Sequence, residues 1–186
     1  MKRIVIVFGL ISGVISSALM FLTLPLMKNG TINFDNGEIF GYTAIFLSFL
    51  LVFFGIRSYR ENAGGTITFG RGFSVGILIT LISCVFYVAS WELIYFKLMP
   101  EFAQGHMDKW ATHEIDTMRA KGASDSAIAE KKAQMDKMKE MLKNPIMNSA
   151  MTFIEPFPVG LIVTLISAAI LRRRTPAAAP IVAQAV

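Results

Sequence analysis

Two acids stand in apolar surroundings, Glu92 in "YVASWELIYF" and Glu155 in "FIEPFPVG". A carboxylate at the centre of a bilayer costs about 2.5–3.5 kcal/mol on insertion scales, and escapes that cost by protonation, pairing or contact with water. Acids so placed are candidates for carrying a proton or cation. The structural alternative for Glu92 is that it reaches the headgroup layer beside Trp91 and Tyr95, residue types that favour that depth. For Glu155 it is that the side chain satisfies backbone groups freed by Pro156 and Pro158. These prolines either open carbonyls to an ion or mark a helix start or kink, and the second account is favoured.

Metal ligands are the other chemistry to weigh. His106 and His113 are seven apart and share a helical face with Trp110, with Glu114 and Asp116 nearby. Zinc accepts such donors. In "HEIDT", however, Thr117 stands where a zinc-protease motif requires its second His, so a solvated amphipathic face is the better account. Met135, Met138 and Met141 recur every third residue, and thioethers suit Cu(I). Two of them also belong to an apolar seam with Ile128 and Leu142, where Met is ordinary packing material. No glycine-rich phosphate loop, Ser-His-Asp arrangement or thiol nucleophile is readable. The lone Cys84 lies in an apolar run and offers neither an intrachain disulfide nor a cysteine metal framework. The sequence therefore predicts a protein that is not an enzyme and has no cofactor.

Composition says what must position these residues. With 54% hydrophobic and 17% charged residues and a mean hydropathy of +0.55, the chain lies far from a soluble domain, in which about a quarter of residues are charged. A spanning helix needs about 20 mostly apolar residues, and four runs approach or meet that: about 4–27, 39–56, 73–96 and 147–171. The first begins "MKR" and carries Ser16 and Ala18 at signal-peptidase spacing. Its apolar run continues to Leu26, so we read it as retained. The expected fold is all-α, a membrane bundle of four transmembrane helices over 1–174. The 186 residues leave no room for a full soluble enzyme domain as well.

Basic residues set the orientation. Lys2 and Arg3 precede the first run; Arg57, Arg60 and Arg71 lie in the short second loop; Arg172, Arg173 and Arg174 follow the fourth run. Four crossings bring all of them to one side, and the positive-inside rule makes that side cytoplasmic. The expected topology is multi-pass, with both termini inside. The net charge of +5 then meets anionic lipid headgroups, and no nucleic acid is expected as a partner.

The segment 97–145, with nine Lys/Arg and eight Asp/Glu, faces outside in this scheme as a helical hairpin. One helix runs from about Glu101 to Lys121 and ends at Gly122; a second is capped by Ser124 and stopped near Lys143 by Asn144 and Pro145. The Ala/Pro-rich tail 175–186 is expected to be disordered and cytoplasmic. If the third helix enters near Gly72, Glu92 lies about 30 Å along it, near the outer boundary, and Glu155 lies about 12 Å from the outer end of the fourth. The two acids are thus placed at similar depth.

Small residues recur four apart at Gly9 and Gly13, Ser12 and Ser16, and Gly72 and Gly76. That spacing lets helix backbones approach closely. It serves dimerisation or packing within one bundle, and packing is favoured. "GILITLIS" from Gly76 and "GLIVTLIS" from Gly160 also match locally, as a trace of an inverted repeat would; chance within a small apolar alphabet is the preferred explanation.

Through "LLVFFGIRSYREN", "TLISCVFYVASWELIYF" and "EPFPVGLIVTLISAAILRRR", nearly the whole chain resembles a family of small bacterial membrane proteins catalogued as domain of unknown function 4199. The resemblance implies four transmembrane helices in a bacterial membrane, so with the termini inside the expected location is the bacterial cytoplasmic (inner) membrane, and it carries no activity or site. The function expected is a non-enzymatic structural or accessory role, with the lipid bilayer and a second copy or another membrane protein as partners. The alternatives are a small proton- or ion-coupled transporter using Glu92 and Glu155, and extracytoplasmic copper handling by the methionines.

Overall fold

The computed structural model describes residues 1–32 and 34–173, without the side chains of 34–36, 38, 102–104 and 106. The expectation for the tail 175–186 falls outside this range, as does Arg174. The helices are α1 (Lys2–Lys28), α2 (Phe34–Asn62), α3 (Phe69–Leu93), α4 (Pro100–Ala120), α5 (Asp125–Leu142), α6 (Pro145–Ile154) and α7 (Pro156–Leu171). A π-helical turn, Ile94–Leu98, joins α3 to α4. The chain is all-α, and four stretches are long and apolar enough to cross a membrane: Lys2–Lys28, Ile39–Asn62, Phe69–Leu98 and Pro145–Leu171.

Several helices run past the apolar stretches that announce them, because polar capping residues extend a helix beyond its hydrophobic part. Thr68 accepts from the Arg71 backbone N–H at 3.3 Å and starts α3 one turn before Phe73. Asn144 accepts from the N–H groups of Ile146 and Met147 and starts α6 at Pro145. The fourth run is two helices, α6 and α7, meeting at Glu155. Pro156 and Pro158 lack the N–H groups that would bond the carbonyls of Thr152 and Ile154, so one continuous ladder cannot form.

The four spans are arranged so that α1 and α7 each pack against both α2 and α3, and α2 and α3 also meet across the middle. One end of the bundle carries Lys2 and Arg3, Arg57, Arg60, Arg71, Arg172 and Arg173. The loop there is tied to the end of α7: Ile67 and Arg173 exchange backbone hydrogen bonds at 3.0 Å. The opposite end carries α4 and α5, which pack as a hairpin. Ser124 caps α5, and Gly122, at φ 76°, makes the turn in a backbone region closed to most side chains.

Glycines bring the spans together at the basic end. A Cβ at Gly76 would lie 2.7 Å from the Thr164 side chain, and one at Gly160 would collide with Thr80 and with Phe49. The contact is reciprocal, and the Thr80 and Thr164 hydroxyls meet between the two glycines at 3.2 Å. The matching octapeptides thus lie antiparallel against each other. Their similarity has a packing cause: each helix needs a glycine and, four residues on, a threonine to admit the other.

Gly9 and Gly13 face Ile82 and Phe86 at 3.0 Å or less, and Gly72 meets Ala168 at 3.4 Å. All four glycines of these pairs are therefore occupied within the bundle. At its middle, the Ser12 hydroxyl donates to the Ser48 carbonyl at 2.8 Å and pairs with the Ser83 hydroxyl at 3.0 Å, joining α1, α2 and α3.

Candidate functional site

Both acids lie in the half of the bundle beneath the hairpin, and packing changes sharply there. In α3 the buried positions stop at Cys84, and none of residues 85–93 is buried. In α2 no described side chain before Ile45 is buried. Beyond the contact of Gly13 with Phe86, spaces open between the helices.

Glu155 sits at the joint between α6 and α7, exposed on the protein surface. Tyr87 of α3 donates its hydroxyl to Glu155 Oε2 at 2.9 Å. Tyr87 also lines a small cavity of about 70 Å³ with Ser16, Thr23, Gly41 and Ala44, room for a few waters. The Ser16 and Thr23 hydroxyls donate to carbonyls of their own helix, those of Gly13 and Met20. Their oxygen lone pairs remain available as acceptors. A phenol and two hydroxyls thus border one small space between α1, α2 and α3, and the phenol links that space to the Glu155 carboxylate at the helix break.

Glu92 is held differently. With Val85, Val88 and Ala89 it forms one stripe of α3, facing Ser149, Ala150 and Phe153 of α6 across a surface groove of about 450 Å³. Ser149 is its polar neighbour. Its Oε1 is buried and has no hydrogen-bond partner among the described residues.

The acids do not share a site. Tyr87, which marks the position of Glu155, and Glu92 are five residues apart on a regular helix, about 140° around the axis and 7.5 Å along it. Glu155 is also ten residues into the fourth span rather than eight, because α6 starts at Pro145. The similar depth expected from the sequence gives way to two levels, with Glu155 the deeper.

Asn148 was not among the candidates. It is fully buried and joins three elements. Its Oδ1 accepts from Trp91 Nε1 at 3.0 Å and from Thr152 at 3.3 Å, and its Nδ2 donates to the Leu142 carbonyl at 3.0 Å. Beside it Tyr95 and Leu142 are buried with Trp91, Met107, Met138 and Met151 around them. An asparagine one helical turn after the cap residue Asn144, within an apolar run, was the available signal.

The metal candidates are dispersed into packing. Met135 is buried in the hairpin and Met138 packs against the Tyr95–Leu142 cluster. Met141 is half-buried. The side chain of His106 lies outside the described residues, and His113 already has an interaction partner. Among the described residues no three His, Cys, Asp or Glu side chains form a group able to hold a metal ion.

A family model described as Protein of unknown function (DUF4199) matches residues 7–173. The chain belongs to this family. The match takes in most of the first span, the other three spans, the hairpin, both acids and Asn148, so these are parts of a DUF4199 unit. No curated protein and no solved structure matches the chain.

Proposed function

We propose that this DUF4199 protein is a non-enzymatic accessory protein of the bacterial cytoplasmic membrane, presenting a rigidly mounted polar hairpin on the extracytoplasmic face. The joint at Asn148 carries this reading. A hairpin meant only to connect two spans does not need its base hydrogen-bonded to both of them. Here the Leu142 carbonyl, the Trp91 indole and the Thr152 hydroxyl converge on one buried amide. Interhelical ion pairs, Lys139 to Asp108 at 2.8 Å and Lys131 to Glu114 at 3.3 Å, hold α4 and α5 in register. The positive end supports cytoplasmic termini. The partner class is a membrane protein, or a second copy of the chain, that meets the hairpin.

Orientation and role are tested separately. With the buried Cys84 replaced by Ser, a cysteine at Ser126 should react with a membrane-impermeant maleimide in intact cells, and one at Ser58 only after lysis. The reverse pattern contradicts the orientation. Crosslinking and native mass spectrometry in mild detergent should find the chain with a partner; a strict monomer with none copurifying contradicts the accessory role.

A second reading, a small proton- or ion-coupled transporter, is favoured by the Glu155–Tyr87 pair at the proline break. Gln substitution at Glu155 and at Glu92, with flux measured in proteoliposomes, decides it. Unchanged flux in both variants removes the acids from any such role.

A further inference from the structure

The groove between α3 and α6 has a carboxylate at one end only. From Arg71, at the basic end, to Glu92 is 21 residues, about 32 Å of helix, close to the roughly 30 Å of a hydrocarbon core. Glu92 and Ser149 therefore lie at the far hydrocarbon boundary, beside Trp91. The walls below them run back toward Val85 and Phe153, about 10 Å into the acyl region. They are apolar, and Val85, Ala89 and Ala150 are exposed on the outer surface of the bundle, where lipid reaches them.

From this we infer that the groove is a lipid site, taking a phospholipid whose headgroup carries a primary ammonium, with the ammonium on Glu92 and an acyl chain along the α3–α6 walls. Charge complementarity selects the headgroup. The Ser149 hydroxyl serves the Glu92 carboxyl as one donor, but Oε1 is buried and has no donor among the described residues, and such a group is costly until one arrives. A primary ammonium brings both positive charge and N–H groups; a quaternary ammonium brings charge alone, and an anionic headgroup brings repulsion. The inference stands independently of the accessory role and of the Glu155 site, since neither uses this groove.

The test is native mass spectrometry of the full chain, reconstituted with equal amounts of phosphatidylethanolamine, phosphatidylcholine and phosphatidylglycerol and released in mild detergent. The wild type should retain phosphatidylethanolamine over phosphatidylcholine by about tenfold, the size of one charge-assisted hydrogen bond. Glu92→Gln keeps the shape of the side chain and should reduce that ratio to about twofold or less while an acyl lipid is still retained. Ala150→Phe fills the groove and should lower retention of every headgroup, with thermal melting confirming that both variants are folded. Three results overturn the proposal: no headgroup preference in the wild type, an undiminished preference in Glu92→Gln, or displacement of the lipid by free ethanolamine, which would make the ligand a soluble amine. If Glu92→Gln fails to fold, retention by Ala150→Phe at the wild-type level overturns it equally.

Discussion

The half of the bundle at the basic end and the half beneath the hairpin draw on the same apolar residue types yet are packed by different means. In the basic half, glycines on one helix receive branched or aromatic side chains from the next, and the polar atoms buried there and at the middle of the bundle satisfy one another: Thr80 with Thr164, Ser12 with Ser48 and Ser83. In the hairpin half the glycine contacts end at Phe86, a cavity and a groove open, and beside the fully partnered Asn148 the Glu92 carboxylate keeps a buried oxygen without a partner among the described residues. Without a hydrophobic drive between helices in lipid, close packing is what holds spans together. Close glycine packing is thus concentrated toward the basic half, and the open spaces lie in the hairpin half.

Gly76→Leu should have the largest effect of any single change. It drives a side chain into Thr164 and Ile56, and overpacking of a tight interface costs about 1–3 kcal/mol or more. Thermal unfolding in detergent should show a clearly lowered midpoint; a wild-type midpoint would mean that the two halves do not differ as described.

Asn148→Leu is the next largest. It leaves the Trp91 N–H and the Leu142 carbonyl without their partners, at about 1–3 kcal/mol for buried polar groups. The loss should be local, read as faster hydrogen exchange and proteolysis in α5 and at its junction with α6, with the basic half still protected. Ser12→Ala should cost less, about 0.6 kcal/mol, the average for interhelical hydrogen bonds measured in a membrane protein. Glu155→Gln should change stability least, by about 0.5 kcal/mol at most, because the amide oxygen still accepts from Tyr87. A large destabilisation there would make Glu155 a structural residue and erase the contrast.

The sequence makes this division only partly legible. Four spans, one basic end and a hairpin with its turn at Gly122 follow from run length, charge and capping residues, because these signals are local. The glycine spacing is also local, but which surface each glycine meets is not. Gly160 and Gly55 are as tightly enclosed as Gly76, yet nothing adjacent in sequence says that Thr80 and Ile79 will fill those spaces. The break at Glu155 is foreshadowed by two prolines. The separation of the two acids depends on which side of α3 each faces, a matter of five residues of helix phase that no composition window resolves. Asn148 escaped for a similar reason, since its three partners come from α3, α5 and α6.

One paired measurement tests the contrast most directly. Gly160 and Gly41 are both helical glycines in spans, the first closed in by Thr80 and Phe49, the second with nothing within 4 Å of where its Cβ would stand. In an open position Gly→Ala gains about 1 kcal/mol of helix propensity, whereas in a closed one the clash outweighs that gain. Unfolding of Gly41→Ala and Gly160→Ala in the same detergent should therefore shift the midpoint in opposite directions, up for Gly41 and down for Gly160. Equal shifts, or a stabilised Gly160→Ala, would contradict the division of the bundle into a closed half and an open one.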